Sequence, residues 1–233
     1  MRKHRGLAPQ DALFFDAGRV ERLKEAVEDL SWLLRRGYSQ KAAVELVGNR
    51  YQLTKRERHA LLHGAWEKER RIPPLAPEAL CGRRLCIDGF NLLITLETAL
   101  GGGILIRGKD GCYRDIANVH GSYSFRAETE EAVRLAAEAL KELGVGEALW
   151  YFDRPVSNSG RIAALVNETA DEMGVPMRAE TTDRVDAKLK ACGDVVVTAD
   201  AVILDSGVAW FDLGGWIIEN LVRKPLNLLD FSR

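Results

Sequence analysis

The 233-residue sequence predicts an α/β protein, a parallel-sheet domain over residues 78–233 preceded by a small all-α domain over residues 1–77. Three observations carry this reading. Before residue 70 the apolar residues recur at three- and four-residue intervals, the spacing of one buried helix face. From residue 84 onward, short apolar runs alternate with helix-like segments, which implies a parallel sheet covered on both faces. Between the two, RRIPPLAPEALCGRR at 70–84 carries Pro73, Pro74 and Pro77, which remove backbone donors and disfavour helix, so this stretch predicts a linker.

The first helix rests on RVERLKEAVEDLSWLLRR, where Val20, Leu23, Val27, Leu30 and Leu34 form a single stripe. A second is expected from Ser39, burying Ala42, Ala43, Leu46 and Val47 and stopping at Gly48-Asn49. A third starts at Thr54, where Thr-Lys-Arg-Glu is a capping box, and buries Leu61, Leu62, Ala65 and Trp66. Two short helices around a tight turn, the second beginning KRER, read either as a helix-turn-helix able to meet DNA or as a simple packing unit.

In the second part the strand-like runs are 84–88, 147–152, 176–181, 194–198 and 208–211. Helix-like runs lie at 91–100, 127–143, 159–173, 184–192 and 215–222. The segment GILIRGKDGCYRDI at 103–116 is two short runs around Lys109-Asp110-Gly111, the signal of an inserted hairpin.

Composition narrows the class. Apolar residues make up 46% and charged residues 29%, as in ordinary globular proteins, and no apolar run approaches the roughly 18 residues that span a bilayer. No apolar stretch follows the basic Met1-Arg-Lys-His-Arg-Gly start, so a secretory signal is not expected. Cys81, Cys86, Cys112 and Cys192 are scattered, without a Cys-x-x-Cys pair, which predicts reduced thiols in a cytoplasmic protein and no zinc site. The net charge of −1 conceals +6 in residues 1–77 against −7 in the remainder, a basic part that attracts a polyanion joined to a part rich in carboxylates.

Those carboxylates have an order. Asp88 follows RLCI, Asp153 follows ALWYF, Asp183 follows MRAETT, Asp200 follows VVVTA and Asp212 follows VAWF. Each predicted strand thus delivers an aspartate at or just past its C-terminal end, and in a parallel sheet all those ends share the edge where ligands bind. Asp186, one turn past Asp183, can face the same space. Crowded carboxylates repel unless a cation lies among them, and Mg²⁺ or Mn²⁺ is the natural occupant of such an oxygen set. The competing explanation is helix capping, which also places Asp at strand-to-helix junctions.

IDGFN at 87–91, RVDAKLK at 184–190 and GDVVVTADAVIL at 193–204 together resemble the signature of the PIN-like superfamily, in particular its NYN branch. The resemblance covers roughly residues 83–222. It implies a metal-dependent ribonuclease with a compact α/β fold, in which Asp88, Asp186 and Asp200 are metal ligands and Asn91 steadies the site or touches the substrate. Asp153 is a fourth carboxylate available to the metal. The chain as a whole resembles a family of archaeal proteins that are helical in front and PIN-like behind. The position two residues after Asp200, often acidic in that superfamily, is Val202, with Asp205 the nearest acid. That departure favours an alternative, a non-catalytic nucleic-acid-binding or regulatory protein.

A second cluster follows Asp153. Ser157, Asn158, Ser159 and Gly160 precede a helix, with Arg154 and Arg161 beside them, and read either as a phosphate cradle or as a helix cap. His120 in NVHGSYS is expected to be a loop residue. The glycine-rich GGGIL at 101–105 matches neither a Walker loop nor a dinucleotide fingerprint. The expected activity is hydrolysis of RNA phosphodiester bonds, with the basic helical part holding the RNA backbone, or DNA through its helix pair, and no membrane partner.

Overall fold

The computed structural model describes residues 2–66, 72–116 and 121–232. After a short α1 (Asp11–Phe14), three helices follow: α2 (Ala17–Arg35), α3 (Gln40–Arg50) and α4 (Lys55–Gly64). Asp16 caps α2 by accepting from the Arg19 amide at 3.0 Å. Thr54 and Glu57 form the reciprocal capping box at α4 that the sequence announces. Leu23, Val27 and Leu30 of α2 pack with Ala43 and Val47 of α3 and Leu61 of α4.

Helix α3 departs from the sequence reading. Ala42 and Leu46 face solvent instead of the core. Gly48 does not stop the helix, which runs on to Arg50, and the chain reverses at Gln52 with φ of 51°. The Arg58 guanidinium lies against Gly48 and would have to shift to admit a Cβ there.

Beyond the linker the chain forms seven strands among the described residues: β1 (Arg84–Asp88), β2 (Ile104–Arg107), β3 (Tyr113–Asp115), β4 (Glu147–Asp153), β5 (Met177–Thr182), β6 (Val195–Val197) and β7 (Asn227–Asp230). The helices between them are α5 (Gly89–Gly101), α6 (Thr129–Glu142), α7 (Ser159–Met173), α8 (Val185–Lys190), α9 (Ala201–Leu204) and α10 (Leu213–Asn220). The main sheet is parallel throughout in the order β5-β4-β1-β6. A second sheet, β3-β2-β7, pairs β2 antiparallel with β3 and parallel with β7.

The period of two along each central strand sorts side chains between two faces. Leu85 and Ile87, Trp150 and Phe152, and Val195 and Val197 meet α5, α6 and α7. Cys86, Tyr151 and Val196 face the other way, onto Val185 and Leu189 of α8 and Ile203 and Leu204 of α9. The second sheet is also two-sided: Leu105 joins the main core, while Ile104, Ile106, Leu229 and Phe231 complete the core of α2–α4. The front helices therefore rest on a sheet contributed by the rest of the chain. No helix among the described residues is long and apolar enough to cross a membrane.

Three differences from the sequence reading stand out. The run 208–211 is not a strand; it touches β6 through one parallel bridge, Val196 to Trp210. Its outer side is taken by the proline segment, since Leu75 N donates to the Trp210 carbonyl at 2.9 Å and the indole donates to the Ile72 carbonyl at 2.7 Å. The four-residue β7 was too short a run to signal a strand.

The third difference concerns the cysteines, expected to be reduced. Cys86 of β1 and Cys192 after α8 are joined in a disulfide with Cα atoms 6.0 Å apart, closing a sequence separation of 106 residues. Sequence cannot show that pairing, because it depends on α8 folding back over β1. Reduction, or Cys192→Ser, is expected to cost about 2–4 kcal/mol in a denaturant melt, since a loop this long restrains the unfolded chain strongly. Unchanged midpoints with and without reductant would show that the tether adds nothing.

Candidate functional site

The sheet order sets β4, β1 and β6 side by side, so their C-terminal ends open on one edge. Asp153 closes β4, Asp88 closes β1, and Asp200 stands just beyond β6. The loops after β1 and β6 are stitched together. Asp88 accepts the Thr198 hydroxyl at 3.0 Å on Oδ2 and the Asn91 amide at 3.3 Å on Oδ1. Asn91 reaches back across, its Oδ1 accepting the Ala199 amide at 2.9 Å. Thr198 Oγ1 accepts the Asp200 amide at 3.1 Å. Gly89 between Asp88 and Phe90 is required by packing: a Cβ there would sit 2.5 Å from the Phe152 ring of β4. The Asp-Gly-Phe-Asn turn thus serves capping, close approach and side-chain placement at once.

Capping explains some aspartates better than others. Asp200 accepts the Val202 amide at 2.8 Å and Asp212 accepts the Gly215 amide at 2.8 Å, both ordinary N-caps. Asp88 caps α5 only through its longer 3.3 Å bond. Asp153 caps nothing, since the N-cap position of α7 is Asn158, and Asp183 turns outward to Arg154 at 3.1 Å.

The carboxylates feel one another. Burial pushes Asp88 up to about 7, and the charges of Asp200 and Asp153 push the same way, against the hydrogen bonds from Asn91 and Thr198. Asp153 is raised by burial and then by Asp186, an exposed residue in the first turn of α8. Asp88, Asp153, Asp186 and Asp200 thus form a chain of mutually repelling groups along the sheet edge. Among the described residues, no three His, Cys, Asp or Glu side chains lie close enough to form a ready-made metal site.

Two contributors lie outside the residues singled out from sequence. Thr198 holds Asp88, and its signal was present in the Thr-x-Asp motif. Arg114 of β3 gave no signal. Its Nε donates to the Ala199 carbonyl at 2.9 Å, its Nη1 to the His63 carbonyl at 3.3 Å, and its guanidinium pairs with buried Asp110. The inserted hairpin therefore supports the Asp200 loop. Asp212, lodged nearby, is raised to about 6 by burial, with Arg114 opposing the shift.

The Ser157-Asn158-Ser159 cluster holds protein groups. Ser157 accepts the Tyr123 amide at 2.9 Å and donates to its carbonyl at 3.0 Å, and Asn158 donates to the same carbonyl at 2.7 Å. Ser159 donates to the Arg154 carbonyl at 3.2 Å. Arg161 lies over the Phe125 ring, 4.9 Å from its centroid. These side chains clasp the loop at Tyr123, which draws them away from the cradle geometry the sequence suggested. In α4, Arg56 pairs with Asp11, and Arg58 donates to the Leu53 carbonyl and to Asn49. Two cations of the KRER start are thus used within the protein. His120 lies outside the described residues.

Fold and site together define a mixed α/β protein with a parallel sheet whose C-terminal edge gathers aspartates. The chain belongs to the family described as "Domain of unknown function (DUF5616)", whose profile matches residues 77–216. A profile described as "Protein of unknown function (DUF434)" matches residues 22–71. An uncharacterized protein of Methanocaldococcus jannaschii is 32% identical over 208 residues, covering 87% of this chain and 99% of that relative. No solved structure matches.

Proposed function

We propose that the chain is a metal-dependent ribonuclease whose C-terminal part is a PIN-like domain of the NYN type, with the front helices as its RNA-holding module. The observation that carries this reading is the placement of Asp88, Asp153 and Asp200 at or just past the C-terminal ends of three adjacent parallel strands, with Thr198 and Asn91 tying the Asp88 turn to the loop that leads into Asp200. The donor set is all carboxylate oxygen, which suits a hard cation such as Mg²⁺ or Mn²⁺ that keeps several of its waters. Asp88, Asp153, Asp186 and Asp200 would hold it. Such an ion, when bound, supplies charge neutralisation and an acidified water for attack on phosphorus. The chain's own contribution is orientation. Thr198 and the Asn91 amide fix the Asp88 carboxyl, and Asn91 Oδ1 with Arg114 fixes the backbone at Ala199, which leads into Asp200.

Purified protein should melt at a higher temperature with millimolar Mn²⁺, because a ligand that binds the folded state stabilises it. Asp88→Asn should blunt that rise. Absence of any Mn²⁺ effect in calorimetry and melting alike would remove the metal from the reading. A second reading, a nucleic-acid-binding protein without a metal, is favoured by Val202. This residue is 59% exposed on α9 where an acid would sit, while Asp205 stands at the far end of that helix.

A further inference from the structure

We propose that the turn joining α2 to α3 is a stacking platform for unpaired nucleotides of single-stranded RNA. The identity of the polymer rests on the reading of the chain as an RNA-acting protein. The segment WLLRRGYSQK at 32–41 holds two aromatic rings and three cations, and no acid occurs from Trp32 to Val44. Trp32 is 47% exposed and Tyr38 55% exposed, and neither belongs to an apolar core. Arg35, Arg36 and Lys41 are exposed as well.

The local backbone gathers these groups at one end of the bundle. Gly37 adopts φ of 83°, which turns the chain directly after α2. The Tyr38 amide then donates to the Leu33 carbonyl at 3.2 Å, tying Tyr38 to the last turn of α2. Arg36 lies over the Trp32 indole, 4.1 Å from the ring centroid, and so fixes a cation against an aromatic face. The acids one turn earlier are already answered: Asp29 by the Tyr51 hydroxyl at 3.0 Å and by Arg50, and Glu28 by Lys109 at 2.7 Å.

Two exposed rings framed by arginine and lysine match what a flexible single strand offers, flat bases alternating with phosphates. Charge complementarity favours RNA over a two-fold contact with the same turn of a second copy, which would set like charges against like. A membrane surface would call for a continuous apolar stripe, whereas α3 turns Ala43 and Val47 inward and α2 does the same with Leu23, Val27 and Leu30.

The test is fluorescence anisotropy of a short labelled oligouridylate with the full chain, in chelator so that no cleavage intervenes. Trp32→Ala and Tyr38→Ala should each weaken binding about 10-fold, while Trp32→Phe should retain most of it. Arg36→Ala should reduce the slope of log affinity against log salt by about 0.7, one phosphate on a single strand. Circular dichroism confirms that each variant is folded, and Trp32→Ala should keep the Mn²⁺-dependent rise in melting temperature. Failure of the metal reading would remove that rise and leave the anisotropy result standing. The platform is overturned if wild type does not bind the strand at low salt, or if the ring variants bind as wild type does. It is equally overturned if they lose duplex RNA to the same degree, or if the rings serve anionic vesicles or self-association instead.

Discussion

Asp88→Ala is expected to lower metal-dependent cleavage of labelled single-stranded RNA by more than about 100-fold while leaving the protein folded, because metal-ion stabilisation is worth several kcal/mol. Asp88 is the point where the β1 and β6 loops meet, accepting the Thr198 hydroxyl from the β6 side while it caps α5 through the Asn91 backbone amide. Asn91→Ala should cost about 10-fold, since it removes one hydrogen bond, from the Ala199 amide, and no charge. A capping role alone predicts a different pattern, with Asp88→Ala costing about 1 kcal/mol of stability and no selective loss of activity. If wild type leaves every RNA intact with Mn²⁺ present, the binding-protein reading takes over.

The same residue carries a pH signature. Its carboxyl is raised from 3.8 to about 7 by burial and by Asp200 and Asp153. A raised acid binds its proton more tightly in the folded state, so its favourable contribution is complete below pH about 4 and is lost as pH rises toward about 7. Asp88→Asn removes this dependence. The variant should therefore gain stability relative to wild type as pH climbs through that window, with saturating Mn²⁺ reversing the order. A constant stability difference from pH 4 to 8 would show that Asp88 ionises without strain.

The main sheet was legible because its central strands β1, β4 and β6 are largely buried and are followed by aspartates. A run such as ALWYF can do little else when flanked by amphipathic helices, and the register that brings Asp88 opposite Tyr151 follows from that burial. What stayed hidden depends on contacts between distant segments. Cys86 and Cys192 meet only because α8 folds over β1. Arg114 sits in a three-residue strand whose sequence says nothing of the Ala199 carbonyl it will meet. Leu46 and Ala42 looked like core because helical spacing fits several neighbouring faces, and only the packing against α2 and α4 chooses one. The Ser157-Asn158-Ser159 run resembled an anion cradle by composition, yet Tyr123, far earlier in the chain, takes the Ser157 hydroxyl and the Asn158 amide, and the Arg154 carbonyl takes the Ser159 hydroxyl.

Arg114→Ala is expected to destabilise the protein by about 3–5 kcal/mol, the usual cost of leaving a buried charge without its partner. Arg114 is 4% and Asp110 2% exposed, and the pair is bidentate, with Nη1 to Oδ1 at 2.9 Å and Nη2 to Oδ2 at 2.5 Å. Removing the guanidinium also strips the donors from the Ala199 and His63 carbonyls. The joint replacement Arg114→Met with Asp110→Leu should recover part of the loss, because two apolar groups leave no orphaned charge while the Ala199 and His63 carbonyls and the Cys112 amide still lack their side-chain partners. A local readout accompanies the global one. His63 is held down to about 4 by burial and by the Arg114 charge, so Arg114→Ala should let the imidazole titrate at higher pH. The Asp200 loop loses its support from the hairpin in the same variant, and the Mn²⁺-dependent stabilisation should shrink beyond what the lower baseline stability explains. Denaturant melts, histidine titration by nuclear magnetic resonance and metal titration on the single and double variants separate these effects. A single variant within 1 kcal/mol of wild type would show that Asp110 finds water or another cation, and that the hairpin does not hold the site.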